Sequence, residues 1–263
     1  MIVEQIWTNN SYRNFNYLIA CDETGEAVAI DPLDYDKCYT IAKNNYWDIT
    51  HIINTHHHQD HTGGNEALIS KTNAKLLAHK NAKKLIAGID IGLSAGQIIK
   101  IGKSIELEVL DTPGHTMSHV CLLSRSNKLC LFSGDTLFNA GVGNCHNGGN
   151  ANSLYETYRD ILFNLDDKTL LYPGHDYIEN NINFTIHLEP NNQYALDLLK
   201  QVSNQNPNNA FTSSIGIEKK INTFFRLENQ SIIKNLISTK PDLKKQINKK
   251  NVFLALRELR NKW

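Results

Sequence analysis

The sequence predicts a layered α/β domain followed by a mainly helical one. Three observations carry that expectation. The first part of the chain holds many short apolar or alternating runs of strand length, and a few stretches between them have the apolar spacing of helices. After His175 the strand-like runs give way to helical patterns, so the expected division is residues 1–175 and residues 176–263.

Strands are expected at residues 3–6, 17–20, 27–30, 52–54, 75–78, 105–110, 120–123, 129–132 and 170–172. In each, β-branched, aromatic or other apolar side chains cluster between turn-forming residues. Residues 35–45 have helical periodicity. A second helix is expected from Leu154, Tyr158, Ile161 and Leu162, whose i, i+4, i+7, i+8 spacing puts them on one face, with Ser153 as its cap. In the later region residues 179–204 and 231–263 read as helical, separated by the turn-rich "NQNPNNAFTSS".

Lys plus Arg equals Asp plus Glu at 27 each, so no global field draws the chain to nucleic acid or an anionic membrane. The five cysteines, Cys21, Cys38, Cys121, Cys130 and Cys145, are odd in number and form no CxxC pair. Neither a disulfide framework nor a thiolate zinc knuckle is expected, and a reducing compartment fits best. The N-terminus "MIVEQIWTNNSYRNF" has no basic segment followed by an apolar run, and no uncharged apolar stretch reaches spanning length. The expectation is a cytoplasmic protein that binds neither nucleic acid nor membrane, and a monomer.

The chemistry concentrates in "NTHHHQDHTGGN", residues 54–65. His56, His58, Asp60 and His61 have H-x-H-x-D-H spacing. In extended chain, residues two apart point the same way, so His56 and His58 converge while His57 points elsewhere. Asp60 and His61 follow where the chain turns, and Thr62, Gly63 and Gly64 permit a tight reversal into a helix. A catalytic zinc takes about three protein ligands and keeps one position open, so these four exceed one site and fall short of two. His115, Asp135 and His175 each close an apolar run with Gly beside them, the usual place for active-site residues in α/β sheets. Any one of them alone would be explained by a loop or capping role; with the cluster they make seven ligands for two metal ions. His51, His79 and His187 are expected to be structural or surface residues, and His57 and His119 stand between that reading and a hydrogen bond to a neighbouring ligand.

On "THHHQDHTGGN", "DTPGHTMSHV", "SGDTLF" and "PGHDYIENNINFTIHLEPNN" the chain resembles the metallo-β-lactamase superfamily. With "EKKINTFFR" and a terminal "RELRNKW" it is similar to the glyoxalase II family, the hydroxyacylglutathione hydrolases. The resemblance implies an αββα sandwich of two mixed sheets, followed by a helical domain that helps to bind glutathione. It implies that His56, His58 and His115 hold one metal, Asp60, His61 and His175 the other, and that Asp135 bridges them. Zinc, iron and manganese all suit such a shell. Asp60 and Asp135 are then the carboxylates of the chemistry, a hydroxide attack on a thioester carbonyl whose thiolate leaves without much help.

Glutathione carries two carboxylates. Arg257 and Arg260, at i and i+3, share a helical face where the family places an Arg and a second basic residue. Tyr177 matches a family tyrosine that contacts glutathione. Departures from the pattern lie in "VGNCHNGG", where Asn144 and His146 stand for a basic and an aromatic residue, in Gln59 for a Trp, and in Thr223 for a Pro. The function implied is hydrolysis of S-D-lactoylglutathione, or a related acyl glutathione, in clearing methylglyoxal. A mononuclear-iron persulfide dioxygenase and a non-catalytic metal-binding module are the alternatives.

Overall fold

A computed structural model describes residues 1–263. The chain divides into two compact units: Met1–Thr112, Ser118–Asp135 and Tyr172–Asp176 form one, and Pro113–Met117, Thr136–Leu171 and Tyr177–Trp263 the other.

The first unit holds a six-stranded mixed sheet, in the order β1 (Ile2–Trp7), β2 (Phe15–Ala20), β3 (Glu26–Ile30), β4 (Asp48–Asn54), β5 (Lys75–His79) and β6 (Ile91–Leu93). The first three strands pair antiparallel and the rest join parallel. The parallel joins need crossovers, supplied by α1 (Tyr35–Asn44) and by α2 (Gln59–Thr62) with α3 (Asn65–Thr72). Asp34 caps α1 by accepting from the Lys37 amide. The second sheet runs β7 (Ile98–Ile101), β8 (Ile105–Asp111), β9 (Val120–Ser124), β10 (Cys130–Gly134), β13 (Leu170–Pro173) and β14 (Ser213–Ser214). Its last two strands belong partly or wholly to the other unit.

The alternation of β2 shows how the layers of the first unit close. Tyr17 packs edge-on against Phe132 of β10 and Tyr172 of β13, with ring centroids 5.4 and 5.5 Å apart. Leu18, on the opposite face, joins a buried cluster with Cys38 and Ala42 of α1 and Leu68 of α3. Both faces of β2 are therefore covered, and all six of its residues are buried.

The second unit contains the hairpin of β11 (Leu137–Phe138) and β12 (Gly141–Val142) and six helices. These are α4 (Ala151–Asp160), α5 (Ile178–Leu188), α6 (Gln193–Val202), α7 (Ile215–Ile221), α8 (Gln230–Thr239) and α9 (Lys249–Arg260). Ile178 and Ile182 of α5, Leu198 and Val202 of α6 and Ile221 of α7 form one core. Tyr155, Tyr158, Phe224 and Phe253 form an aromatic core beside α4 and α9. No helix is long and apolar enough to cross a membrane.

All nine expected strands are present. The helix expected around Ser153 is corrected: Asn150 is its cap, accepting from the amides of Asn152 and Ser153, and Ile161 ends it, with Leu162 in a separate 3-10 turn. The helical pattern of residues 179–204 resolves into two helices, separated at Glu189 before Pro190, which cannot continue a helix.

Candidate metal centre and binding cavity

Because β3 and β4 are parallel neighbours, with Ile30 opposite Ile53, residues just past their ends arrive at the same edge. Asp31 follows β3 in the left-handed region, φ 49°. Its Oδ1 accepts the Thr55 amide at 2.8 Å, and its Oδ2 accepts the Thr55 hydroxyl at 2.7 Å and His61 Nδ1–H at 2.9 Å. The Asp31 carboxylate thus fixes the start of the histidine segment and one of its rings.

His56 and His58 lie beyond the strand end, yet their rings converge, with His56 Nε2 3.0 Å from His58 Nδ1. The next turn is α2, and the chain leaving it runs so close to the segment after β3 that glycine is required: a Cβ on Gly64 would run into the Pro32 carbonyl oxygen. That turn sends Asp60 and His61 back toward His175, two residues after β13.

Asp60 Oδ2, His61 Nε2 and His175 Nε2 form a triangle with sides of 3.5, 3.4 and 3.3 Å. Four ligands around an ion at about 2.0–2.1 Å stand about 3.3–3.4 Å apart at the corners of a tetrahedron. The three atoms therefore form one face of such a tetrahedron. The Asp135 carboxylate borders this face, Oδ1 3.3 Å from His61 Nε2 and Oδ2 3.2 Å from His175 Nε2. Gly174 allows the approach, since a Cβ there would meet the Asp135 carboxylate and the His61 ring. The donor set and its spacing fit a divalent ion.

Each ring is oriented by what its other nitrogen does. His175 Nδ1 lies 2.7 Å from the Tyr12 carbonyl, which can only accept, so Nε2 bears the lone pair in the neutral ring. His119 Nε2 accepts the Asp135 amide at 3.2 Å, and its Nδ1 meets the Thr112 hydroxyl at 2.9 Å. Burial alone would depress the His61 imidazole, but the carboxylates of Asp135, Asp31 and Asp60 outweigh it and raise the ring to about 9. The field at this position favours a cation.

His115 belongs to the second unit, on the Pro113–Met117 segment. Its ring is buried, and Nδ1 donates to the Asn144 carbonyl at 2.7 Å. The segment that departs from the family pattern therefore also orients an expected ligand.

A cavity of about 240 Å³ lies in the second unit, lined by Tyr177, Asn144, His146, Asn181, Arg257 and Arg260 among others. Full ligand pockets run roughly 300–1,000 Å³, so this one suits an end of a peptide-sized ligand. The two arginines differ. Arg257 is buried, and donates through Nη1 to the Val142 and Gly143 carbonyls at 2.9 and 3.0 Å and through Nε and Nη2 to Asn261 Oδ1. Arg260 is half-buried, with one bond, Nη2 to Asn181 Oδ1 at 3.1 Å. Burial lowers the pKa of both guanidinium groups.

Asp31 and Asn14 were invisible in the sequence pattern. Asn14 donates to Asp60 Oδ2 at 3.0 Å from 46 residues away, and Asp31 reaches His61 from 30. The available signal was position alone, since Asp31 closes an expected strand.

Two family matches divide the chain. The metallo-beta-lactamase superfamily matches residues 40–175, and the family described as hydroxyacylglutathione hydrolase C-terminus matches residues 176–263. The chain is 60% identical to the hydroxyacylglutathione hydrolase of Nitrosococcus oceani and 56% identical to that of a Polaromonas species, over the whole length of each. Among solved structures it is similar to ETHE1 from Myxococcus xanthus, with a TM-score of 0.69 and 27% identity, over 97% of this chain and 100% of that one.

Proposed function

The chain belongs to the hydroxyacylglutathione hydrolase family of the metallo-β-lactamase superfamily, and from that premise we propose that it hydrolyses a 2-hydroxyacylglutathione, S-D-lactoylglutathione foremost, to the 2-hydroxy acid and glutathione. The observation that carries the reading is the tetrahedral face of Asp60, His61 and His175 bordered by Asp135. His56, His58 and His115 are assigned to a second metal position on the motif match, with Asp135 serving both. Residues 1–175 are the catalytic domain and residues 176–263 the helical substrate domain.

When bound, divalent zinc, iron or manganese would supply a water acidic enough to attack near neutral pH and a Lewis acid for the developing oxyanion. The chain's own residues do the rest. Asp31 and the Tyr12 carbonyl hold the ring nitrogens of His61 and His175 in place. Tyr177, two residues after His175, and Asn144, His146 and Arg260 line the cavity for the glutathione end. Arg260 supplies the charge for a carboxylate, and Arg257 braces the segment that carries Asn144. The glutathione thiolate has a conjugate-acid pKa of about 8.5, so its departure places little demand on a general acid.

The reading extends to a cytoplasmic monomer that serves methylglyoxal clearance. The family match over residues 176–263 weighs against the persulfide dioxygenase alternative. Assay of purified protein against S-D-lactoylglutathione, a glutathione persulfide and a β-lactam tests the reading: only the thioester should turn over. Oxygen-dependent consumption of the persulfide without thioester hydrolysis would replace it.

A further inference from the structure

Asp60 is the most exposed of the three residues of the tetrahedral face, its side chain 25% exposed where those of His61 and His175 are 0 and 4%. An exposed aspartate has other rotamers open to it, so something must hold Oδ2 toward the two histidines. The candidate is Asn14, fully buried in the loop that joins β1 to β2. Its Nδ2 donates to Asp60 Oδ2 at 3.0 Å and to the Asp60 backbone carbonyl at 3.1 Å. Both amide hydrogens thus fall on one residue.

The orientation of that amide is not arbitrary. The Asn14 backbone N–H donates to Asn10 Oδ1 at 3.0 Å, which obliges the Asn10 amide to present its NH2 to Asn14 Oδ1, at 2.7 Å. Asn14 must then direct its own NH2 at Asp60. A backbone N–H, which can only donate, sets the polarity of the whole chain of bonds. The same loop supplies the Tyr12 carbonyl for His175 Nδ1, and Asn14 forms a bridge with His175. Two of the three atoms of the tetrahedral face are therefore set by residues 10–14.

We propose that Asn14, oriented by Asn10, is a positioning residue for metal binding at Asp60, His61 and His175. It holds Asp60 Oδ2 in the ligating direction before an ion arrives, and removing it weakens that position and not the one assigned to His56, His58 and His115. The inference rests on the two-metal reading, so the test separates the two.

Full-length protein stripped by a chelator is titrated with Zn2+ against a chromophoric competitor, with the thermal midpoint of the metal-free form as a control. Wild type should take two equivalents. Asn14→Ala should bind one of them about 10–100-fold more weakly, the usual effect of losing a group that orients a ligand, with the other unchanged. Asn10→Ala, which leaves Asn14 in place but frees its amide, should weaken the same equivalent by less. Fewer than two equivalents in wild type would remove the premise. Two equivalents in wild type with unaltered affinities in both variants would overturn the assignment of Asn14, as would equal weakening of both equivalents together with a lowered midpoint, which marks a general loss of fold.

Discussion

Arg257 and Arg260 are three residues apart on one helix face and line one cavity, yet their hydrogen bonds assign them different work. Arg257 directs its donors at Val142, Gly143 and Asn261, and Asn144, next along that segment, holds His115. Arg260 keeps a half-buried guanidinium over the Phe184 ring with a single side-chain hydrogen bond, to Asn181. Charge-assisted bonds contribute about 1.5–3 kcal/mol, or about 10–150-fold in affinity. Arg260→Ala should therefore raise KM for the glutathione thioester at least several-fold with little change in kcat, because a remote carboxylate contact is equal in ground and transition states. Arg257→Ala should lower kcat as well, since its loss loosens the Asn144 segment. Steady-state kinetics on S-D-lactoylglutathione, beside a small thioester lacking those carboxylates, decide this, and unchanged KM in Arg260→Ala would assign glutathione recognition to other residues. At this scale the convergence of His56 with His58 was legible, because residues two apart in extended chain point the same way. Asp31 and Asn14 were not, because their partners are brought near only by strand pairing and by a loop. The two tasks of the arginines were equally hidden, since i, i+3 spacing reports a shared face and not which donors are already taken.

Short elements are where sequence pattern and structure part. The strands with a solid apolar run were all legible, whereas β6, β11, β12 and β14 have two or three residues, too few for a period to register. In β7 the alternation of exposed and buried residues is real, but Lys100 interrupts an apolar stretch of four residues. The seven-residue α7 was missed for the same reason, though it carries an unusual group. Glu218 is fully buried and accepts from the Ala140 amide, the Asn222 side chain and the Ser213 hydroxyl. These bonds favour its charge, but burial outweighs them and lifts the carboxyl from 4.5 to about 7. The folded state therefore holds this proton more tightly than the unfolded chain. The resulting stabilisation is fully present below pH 4.5 and lost as pH rises through about 7. A shift of that size corresponds to about 3 kcal/mol. Denaturant unfolding from pH 4.5 to 8 should show wild type losing about that much stability relative to Glu218→Gln, which has no proton to lose. Parallel pH profiles for the two proteins would mean that folding does not raise the Glu218 carboxyl.

Across the whole molecule, the tetrahedral face and the carboxylate beside it come from segments that the chain visits far apart: residues 60–61, the residue after β10 and the residue two beyond β13. Balanced charge, 27 cationic against 27 anionic residues, gives no global field to steer a charged ligand. The order of elements, a strand-rich part followed by helices, was legible from texture alone. The two compact units were not, because Pro113–Met117 and Thr136–Leu171 cluster with the C-terminal helices and so cut across the order of the chain. Such grouping depends on contacts between distant residues, which no local pattern encodes. On the proposed function, one chain uses two metal positions to hydrolyse an acyl glutathione. The most direct test is the activity of metal-free protein on S-D-lactoylglutathione as zinc, iron or manganese is added in known equivalents. There should be no turnover without metal and a rise that reaches its maximum at two equivalents per chain. Full activity at one equivalent, or no thioester hydrolysis at any loading, would contradict it.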